Sequence, residues 1–244
     1  MKTLTAFWNI LIKDIRNYYL KPPNISWGII FPLSWTLMQI IRSTENIDII
    51  QLLPGLMAMS ILFGTTSMLA VTITFERRGR SFDRLLLAPV SLSILVLAKI
   101  SGAVLFGCLN AFVPVIFASF FVSLGGINWG ILFTAVFLIA LTSTLIGLLI
   151  AVSAKEVFEA QTLSNFFRFP MLFLCGLFLP IQQLPAALRP ISFCLPLTYG
   201  TDLLKGTITG SSIMHSAFSI LMLLAFAAGL FLISRRSIQK KWIL

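Results

Sequence analysis

Long apolar runs, separated by shorter polar segments, dominate this sequence. A helix needs about 20 apolar residues to cross the hydrocarbon core of a bilayer. Six runs approach or exceed that length, and they extend approximately over Ser26–Ile41, Leu52–Phe75, Ile100–Leu124, Trp129–Ser153, Phe166–Ile181 and Ile213–Ser234. The pattern therefore predicts six membrane-spanning helices. The first and fifth are short, and Pro170 and Pro180 predict a kink or tilt in the fifth.

A different pattern precedes the first run, between Thr3 and Leu20. Apolar side chains recur there at helical spacing, and charged or amide side chains occupy the other side of the helix. The apolar positions are Leu4, Phe7, Trp8, Leu11, Ile12, Ile15, Tyr18 and Tyr19, and the polar positions are Asn9, Lys13, Asp14, Arg16 and Asn17. This pattern is typical of an amphipathic helix that lies in the membrane interface. Pro22 and Pro23 are expected to end it.

The composition agrees with a membrane protein and excludes a soluble one. Hydrophobic residues make up 58% of the 244 residues and charged residues 11%, whereas soluble chains carry about 25% charged residues. We therefore expect an all-α, polytopic membrane protein with a single domain. Its predicted parts are an interfacial helix (1–23), spans one and two (26–75), a cytoplasmic segment (76–99), spans three and four (100–153), an inner loop with span five (154–181), an outer hairpin (182–212), span six (213–234) and a cytoplasmic tail (235–244).

Basic residues are distributed unevenly between the two sides that six spans create. With both termini in the cytoplasm, fifteen of the eighteen Lys and Arg residues lie on the inner side, in agreement with the positive-inside rule. Only Arg42, Arg189 and Lys205 fall outside. The inner residues are Lys2, Lys13, Arg16, Lys21, Arg77, Arg78, Arg80, Arg84, Lys99, Lys155, Arg168, Arg235, Arg236, Lys240 and Lys241. Topology thus explains the net charge of +10, and no nucleic-acid partner is expected.

The sequence carries few groups that perform chemistry. It has no GxxxxGKS/T phosphate loop, its one histidine, His215, begins the last apolar run, and Cys108, Cys175 and Cys194 match no metal spacing. The six runs hold neutral polar groups and essentially no buried acid or base, which ion-driven carriers commonly need. We therefore expect no catalytic residue, metal or cofactor in this chain. Any driving energy is expected to enter from outside the bilayer.

Two connections between the runs have unusual patterns. The inner segment from Glu76 to Lys99 combines a dense charge cluster with apolar residues from Phe82 to Leu87. It is either a helix that docks on a cytoplasmic partner or a solvated loop. Physical arguments from the sequence support the two interpretations equally. The outer segment from Pro180 to Ser212 is apolar but interrupted by prolines and glycines. Its pieces are too short to cross, and they are suited to enter the outer leaflet and return.

The inner segment ERRGRSFDRLLLAPV, from Glu76 to Val90, resembles a motif of type-2 ATP-binding-cassette (ABC) exporter permeases. That motif has an acidic residue at the end of span two, a Gly-Thr pair, an acidic residue, a leucine pair and Pro-Val. The sequence replaces the Gly-Thr pair with Arg80-Ser81, directly after Gly79. The matching residues are Glu76, Asp83, Leu85-Leu86 and Pro89-Val90.

A second stretch carries the same resemblance and lies nearer the C-terminus. It is similar to the fifth span and the re-entrant outer hairpin of that family, through Cys175–Pro180, Leu184-Pro185, Leu195–Tyr199, Asp202 and Lys205. Together with the amphipathic N-terminal helix, the resemblance covers nearly the whole chain.

The resemblance implies a permease subunit of an ATP-driven exporter rather than an enzyme. Two permeases, as a homodimer or with a paralogue, would assemble with two separate ABC ATPase subunits that bind ATP and Mg. They would move hydrophobic or amphipathic cargo (a drug, a lipid or a lipid-linked glycan) out across the inner membrane. The ATPase-coupling residues would be Glu76, Arg77, Arg78, Gly79, Arg80, Ser81, Asp83, Arg84 and Pro89. The substrate path would include Thr65, Thr66, Met68, Phe169 and Phe173, and the outer hairpin would use Gly176, Pro180, Pro185, Pro196, Thr198 and Asp202.

Two other classes of function remain open at the level of sequence. A membrane-embedded enzyme acting on lipids would turn over its substrate without nucleotide or partner, using groups such as Glu76 and Asp83. A self-contained channel or secondary carrier would give flux that follows an ion gradient, and the missing intramembrane charges argue against it.

Overall fold

The structure, a computed structural model, describes residues 2–19, 21, 26–42 and 48–243, and every regular element in these residues is helical. The expected all-α fold is confirmed. We number the α-helices α1 (Lys2–Asp14), α2 (Phe31–Arg42), α3 (Ile49–Arg78), α4 (Ser81–Leu87), α5 (Leu92–Ser119), α6 (Trp129–Ser153), α7 (Val157–Leu174), α8 (Arg189–Phe193), α9 (Pro196–Ile208) and α10 (Ser216–Ile238). Short π-helical turns, Ile15–Tyr19, Ser26–Ile30 and Gln239–Ile243, adjoin α1, α2 and α10, and a 3-10 turn spans Ile181–Gln183.

Helix α3 is the centre of the bundle. It packs against α5, α6, α7 and α9, and its most apolar 18-residue stretch is 94% buried, against 17% for the stretch in α10. The side chain of Asp48 caps its first turn by accepting a hydrogen bond from the backbone of Ile50 at 3.0 Å. Because α3 is apolar on all sides and is surrounded by other helices, its position fixes theirs.

Small residues allow α3 and its neighbours to approach closely. A Cβ atom added to Gly147 of α6 would meet the backbone carbonyl of Thr66, and one added to Gly107 of α5 would meet the side chain of Thr65. The spacing of Ser143, Gly147 and Ala151 predicts such packing, and all three are buried. The helices therefore touch through backbone and small side chains.

Four helices in the described residues are long and apolar enough to cross a membrane: α3, α5, α6 and the run Ser216–Lys241 that contains α10. The chain is thus a multi-pass membrane protein. The two runs that the sequence marks as short form shorter or more polar helices. In the first run, the π-helical turn Ser26–Ile30 has 5 residues and α2 has 12. In the region of the fifth run, the 18 residues of α7 include Glu159 and Arg168. The six-span topology therefore stays a prediction.

The segment after α7 folds into short helices. Gly176 ends α7 with a left-handed backbone, φ +78°, which glycine adopts without strain. The predicted outer hairpin contains the 3-10 turn, α8 and α9, and α9 packs against α3, α6 and α10. His215 precedes α10 and caps it, because its Nδ1 accepts a hydrogen bond from the backbone of Ala217 at 3.4 Å.

One end of the bundle carries most of the basic residues. We call it the charged end, and it consists of α1, α4, the first turns of α5 and the last turns of α3, α6 and α10. Helix α1 lies along α5 there and exposes Leu4, Trp8 and Ile12, in agreement with an interfacial helix. The predicted end of this helix at Pro22 and Pro23 lies outside the described residues.

Candidate functional site

Four charged side chains from three helices form a closed ring at the charged end. Lys13 Nζ of α1 lies 3.0 Å from Asp14 Oδ1 and 2.5 Å from Glu76 Oε1 of α3. Lys99 Nζ of α5 lies 3.0 Å from Asp14 Oδ2 and 2.6 Å from Glu76 Oε2. Each lysine therefore bridges both carboxylates, and we call this arrangement the ion ring.

The ion ring is withdrawn from solvent but electrically balanced. The side chains of Asp14 and Glu76 are 0% exposed, that of Lys99 is 1% exposed, and only Lys13 reaches the surface, at 33%. Burial by itself lowers the pKa of Lys13, but the hydrogen bond to Glu76 and the charge of Asp14 outweigh it, so the net pKa lies above 10.5. Two cations alternate with two anions, which compensates the cost of removing each charge from water.

Aromatic residues surround the ion ring and bring α4 to it. Tyr19 Oη donates a hydrogen bond to the backbone carbonyl of Lys99 at 3.3 Å, and burial raises the pKa of this phenol well above its ordinary value. Gly102 leaves room for the ring of Tyr19, since a Cβ atom there would lie 2.7 Å from it. Phe82 of α4 is 1% exposed, and Lys99 Nζ lies 6.0 Å from the centre of its ring. Helix α4 is thus anchored at the ion ring.

A tight turn connects α3 to α4. Arg80 has φ 53° and ψ 14°, a left-handed backbone conformation that side chains other than glycine rarely adopt. It occupies the position at which the resembled motif has glycine, whereas Gly79 has an ordinary φ of −81°. Ser81, at the threonine position of that motif, donates its hydroxyl to the carbonyl of Glu76 at 3.1 Å.

The predicted coupling residues fall into a buried and an exposed group. Glu76 is enclosed in the ion ring, while Arg77 donates to the carbonyls of Ala151 and Ala154 at 3.4 and 3.5 Å at the end of α6. The residues exposed at the surface are Arg78, Gly79, Arg80, Arg84 and Pro89. Asp83 lies in the middle of α4, and its side chain is outside the described residues. Among the described side chains of this set, those of the exposed group are the most accessible to another protein.

The expectation that the spans contain essentially no buried acid or base is wrong. Arg168 is assigned to the inner side by the sequence, but it lies well inside α7 and is 1% exposed. Its guanidinium donates hydrogen bonds to Ser67 Oγ and, at 3.3 Å, to Asn165 Oδ1. It also lies 4.2 Å from the ring centre of Phe63. Hydroxyl, amide and ring therefore replace a carboxylate as partners of this cation.

Asp14 requires a similar correction. The helical pattern assigns it to the polar face of α1, and the structure buries it completely against α5. The reason is its partner, because Lys99 approaches from α5 and forms an ion pair that no local pattern contains. The buried side of α1 therefore carries Ile10, Leu11 and Asp14, and its exposed apolar residues lie elsewhere on the helix.

The predicted substrate-path residues lie in two different environments. Thr65, Thr66 and Met68 are at most 3% exposed and pack among the helices of the bundle. Phe169 and Phe173 of α7 are 42% and 55% exposed. The structure does not place the two groups on one surface of the single chain, and their shared role stays a prediction.

Hairpin residues make specific contacts at the other end of the bundle. Asp202 accepts hydrogen bonds from the backbone of Ile213 at 2.7 Å and Met214 at 3.1 Å. Lys205 donates to the carbonyl of Gly176. The remaining predicted residues differ in burial: Pro196 and Thr198 are buried in α9, and Pro180 and Pro185 are exposed.

Comparison with known proteins gives a consistent result. Residues 5–209 match the family description "ABC-2 type transporter". The chain is 26% identical to the inner membrane transport permease YadH of Escherichia coli (strain K12) over 148 residues, 61% of this chain and 58% of that relative. It is 28% identical to nodulation protein J of Rhizobium meliloti (strain 1021) over 196 residues, 77% of this chain and 72% of that protein. The match thus spans little more than half the length of the YadH permease.

Proposed function

The chain belongs to the ABC-2 type transporter family, and from that premise we propose that it is the membrane permease subunit of an ATP-driven exporter. Two copies, or this chain and a paralogue, assemble with two separate ATPase subunits. Those subunits bind ATP and Mg, and this chain contributes no catalytic residue. Six spans with both termini in the cytoplasm place the charged end at the inner face of the membrane, in agreement with the distribution of basic residues.

The ion ring is the observation that carries this proposal. It joins α1, α3 and α5 at the charged end, directly beside α4. A partner that pushes on the exposed residues of α4 therefore acts on three helices at once. ATP binding in the partner biases the permease between two conformations through the different contacts that each allows.

The cargo that suits this chain is hydrophobic or amphipathic. Phe169 and Phe173 expose aromatic surface on α7, and a second permease facing this surface would enclose an apolar path between the two copies. Helices α8 and α9 would close that path at the outer face.

The experiment that tests the proposal is affinity purification of the chain in mild detergent. Wild type should retain an ABC ATPase, and Arg78→Glu should lose most of it, because Arg78 is exposed at the end of α3. Lys241→Glu, an exposed reversal in the C-terminal tail, is the matched control and should retain the partner. Arg77 is unsuitable, since its guanidinium also ties α3 to α6.

Two results contradict the proposal. One is the absence of any ATPase from the wild-type preparation together with vectorial transport by the purified chain in liposomes without nucleotide. The other is full retention of the ATPase by Arg78→Glu in a variant whose thermal unfolding matches wild type.

A further inference from the structure

A cavity of about 280 Å³ opens at the charged end, between α5, α6 and α10. The apolar part of its wall includes Val96, Leu148 and the partly exposed Phe231. The polar and basic part of its lining comes from Ser93 and from Ser234 and Arg235 of α10. None of the residues that line it is acidic. None of the lining residues belongs to the ion ring or to the coupling residues described above.

Ser234 indicates that the cavity receives a polar group. The residue is 1% exposed and lines the cavity, and its hydroxyl has no hydrogen-bond partner among the described residues. Buried hydroxyl groups normally have a partner, and a serine in a helix commonly bonds to its own backbone when nothing else is available. Ser234 directly precedes the exposed Arg235 in the chain, and both residues line the cavity, so a ligand with hydrogen-bond acceptors and negative charge satisfies both.

The basic and the apolar parts of the lining together indicate which class of ligand the cavity binds. We propose that the cavity binds an anionic phospholipid, whose phosphate meets Arg235 and the Ser234 hydroxyl and whose acyl chain lies along Val96, Leu148 and Phe231. A free phosphate leaves the apolar wall without a partner, and a zwitterionic lipid brings its own cation, which competes with Arg235 for the phosphate. Basic pockets between helices at the cytoplasmic side of a membrane are suited to anionic head groups. The assignment to the inner leaflet rests on the orientation in the proposed function.

The test measures lipid binding to the purified chain by native mass spectrometry in a neutral detergent. Phosphatidylglycerol should bind as one retained molecule and phosphatidylcholine should bind more weakly. Arg235→Gln should weaken phosphatidylglycerol binding about five- to tenfold, the effect of removing one basic residue near an anionic head group. Arg236→Gln is the matched control, because it removes the same charge from the adjacent exposed residue, which does not line the cavity.

A second variant tests the apolar half of the site. Val96→Trp fills the cavity without changing the charge, and it should reduce phosphatidylglycerol binding as strongly as Arg235→Gln does. Equal losses in Arg235→Gln and Arg236→Gln, or unchanged binding in Val96→Trp, would overturn the proposal. Equal binding of the two lipids, or displacement of the lipid by millimolar inorganic phosphate, would overturn it as well.

The two proposals fail independently. Lipid binding is measured on the isolated chain without ATPase, and the purification of an ATPase does not require Arg235. A chain that retains its ATPase but binds no anionic lipid at the cavity contradicts only the lipid site.

Discussion

Replacing Lys99 by methionine tests the ion ring directly. The ammonium group lies 3.0 Å from Asp14 and 2.6 Å from Glu76, and the side chain is 1% exposed. Methionine keeps a similar volume but leaves two buried carboxylates with only the half-exposed Lys13. Removing one partner of a buried ion pair costs about 3–5 kcal/mol. At about 2–4 °C per kcal/mol for a chain of this size, Lys99→Met should lower the melting temperature by about 6–20 °C.

A second substitution separates charge imbalance from lost packing. Glu76→Gln in the Lys99→Met background leaves one carboxylate, Asp14, and one ammonium, Lys13, which already lie 3.0 Å apart. The loss of unfolding free energy in the double variant should therefore be about 2 kcal/mol smaller than the sum of the losses in the two single variants. That difference lies within the range that contacting residues show in double-mutant cycles.

Thermal unfolding of the purified chain in detergent, followed by intrinsic fluorescence, measures both effects. Lys155→Met is the control, since Lys155 is exposed directly after α6 and takes no part in the ion ring. It should change the melting temperature little. The reasoning is refuted if Lys99→Met melts within about 2 °C of wild type, or if the effects of Lys99→Met and Glu76→Gln simply add.

Three further predictions concern the turn, the helix packing and the response to pH. Arg80→Gly should raise stability by about 1 kcal/mol because it relieves the left-handed backbone. Arg80→Ala, which removes the guanidinium and its stem but keeps the Cβ atom, should not, and equal melting temperatures of the two variants would contradict this. Gly147→Ala should lower stability by about 1–3 kcal/mol, because the added methyl group would clash with the Thr66 carbonyl. A melting temperature equal to that of wild type would exclude that clash. Since the folded pKa of Lys13 is raised, its stabilisation is complete below 10.5 and is lost as the pH rises through the folded pKa. The melting temperature should therefore fall above that pH less steeply in Lys13→Met than in wild type, and equal slopes would argue against it.

The sequence predicts those parts of the molecule that depend on local pattern. Continuous apolar runs are enough to locate α3, α6 and α10, because such runs form helices that water does not solvate. The motif from Glu76 to Val90 locates the short helix α4, which begins at Ser81. The caps of α6 and α10, formed by the side chains of Asn128 and His215, are seen only in the structure.

The pattern of apolar and polar residues does not predict which charged residues pair across distant parts of the chain. Lys99 and Asp14 are 85 residues apart, and Lys13 and Glu76 are 63 apart. Each is a single charge at the end of an apolar or amphipathic run, where the positive-inside rule or helical periodicity assigns it to the surface. Arg168 is misplaced for the same reason, because its partner Ser67 is 101 residues away. A charged residue beside an apolar run can therefore lie either at the surface or in the interior. Its location depends on the residues that other helices bring next to it.

The two sets of buried charge meet on one helix, and this has a consequence for how movement would be transmitted. Glu76 fixes α3 in the ion ring, and Ser67, nine residues earlier in the same helix, binds Arg168 of α7. At 1.5 Å per residue, the two positions are about 13.5 Å apart along the axis. A continuous helix does not shorten, so a shift of α3 at the charged end also moves the hydroxyl that holds Arg168. Either α7 follows α3, or Arg168 leaves its hydroxyl partner within a buried environment, which is costly for a cation. In the proposed exporter, a push on α4 therefore reaches α7 and its exposed Phe169 and Phe173 through α3, without a separate linkage.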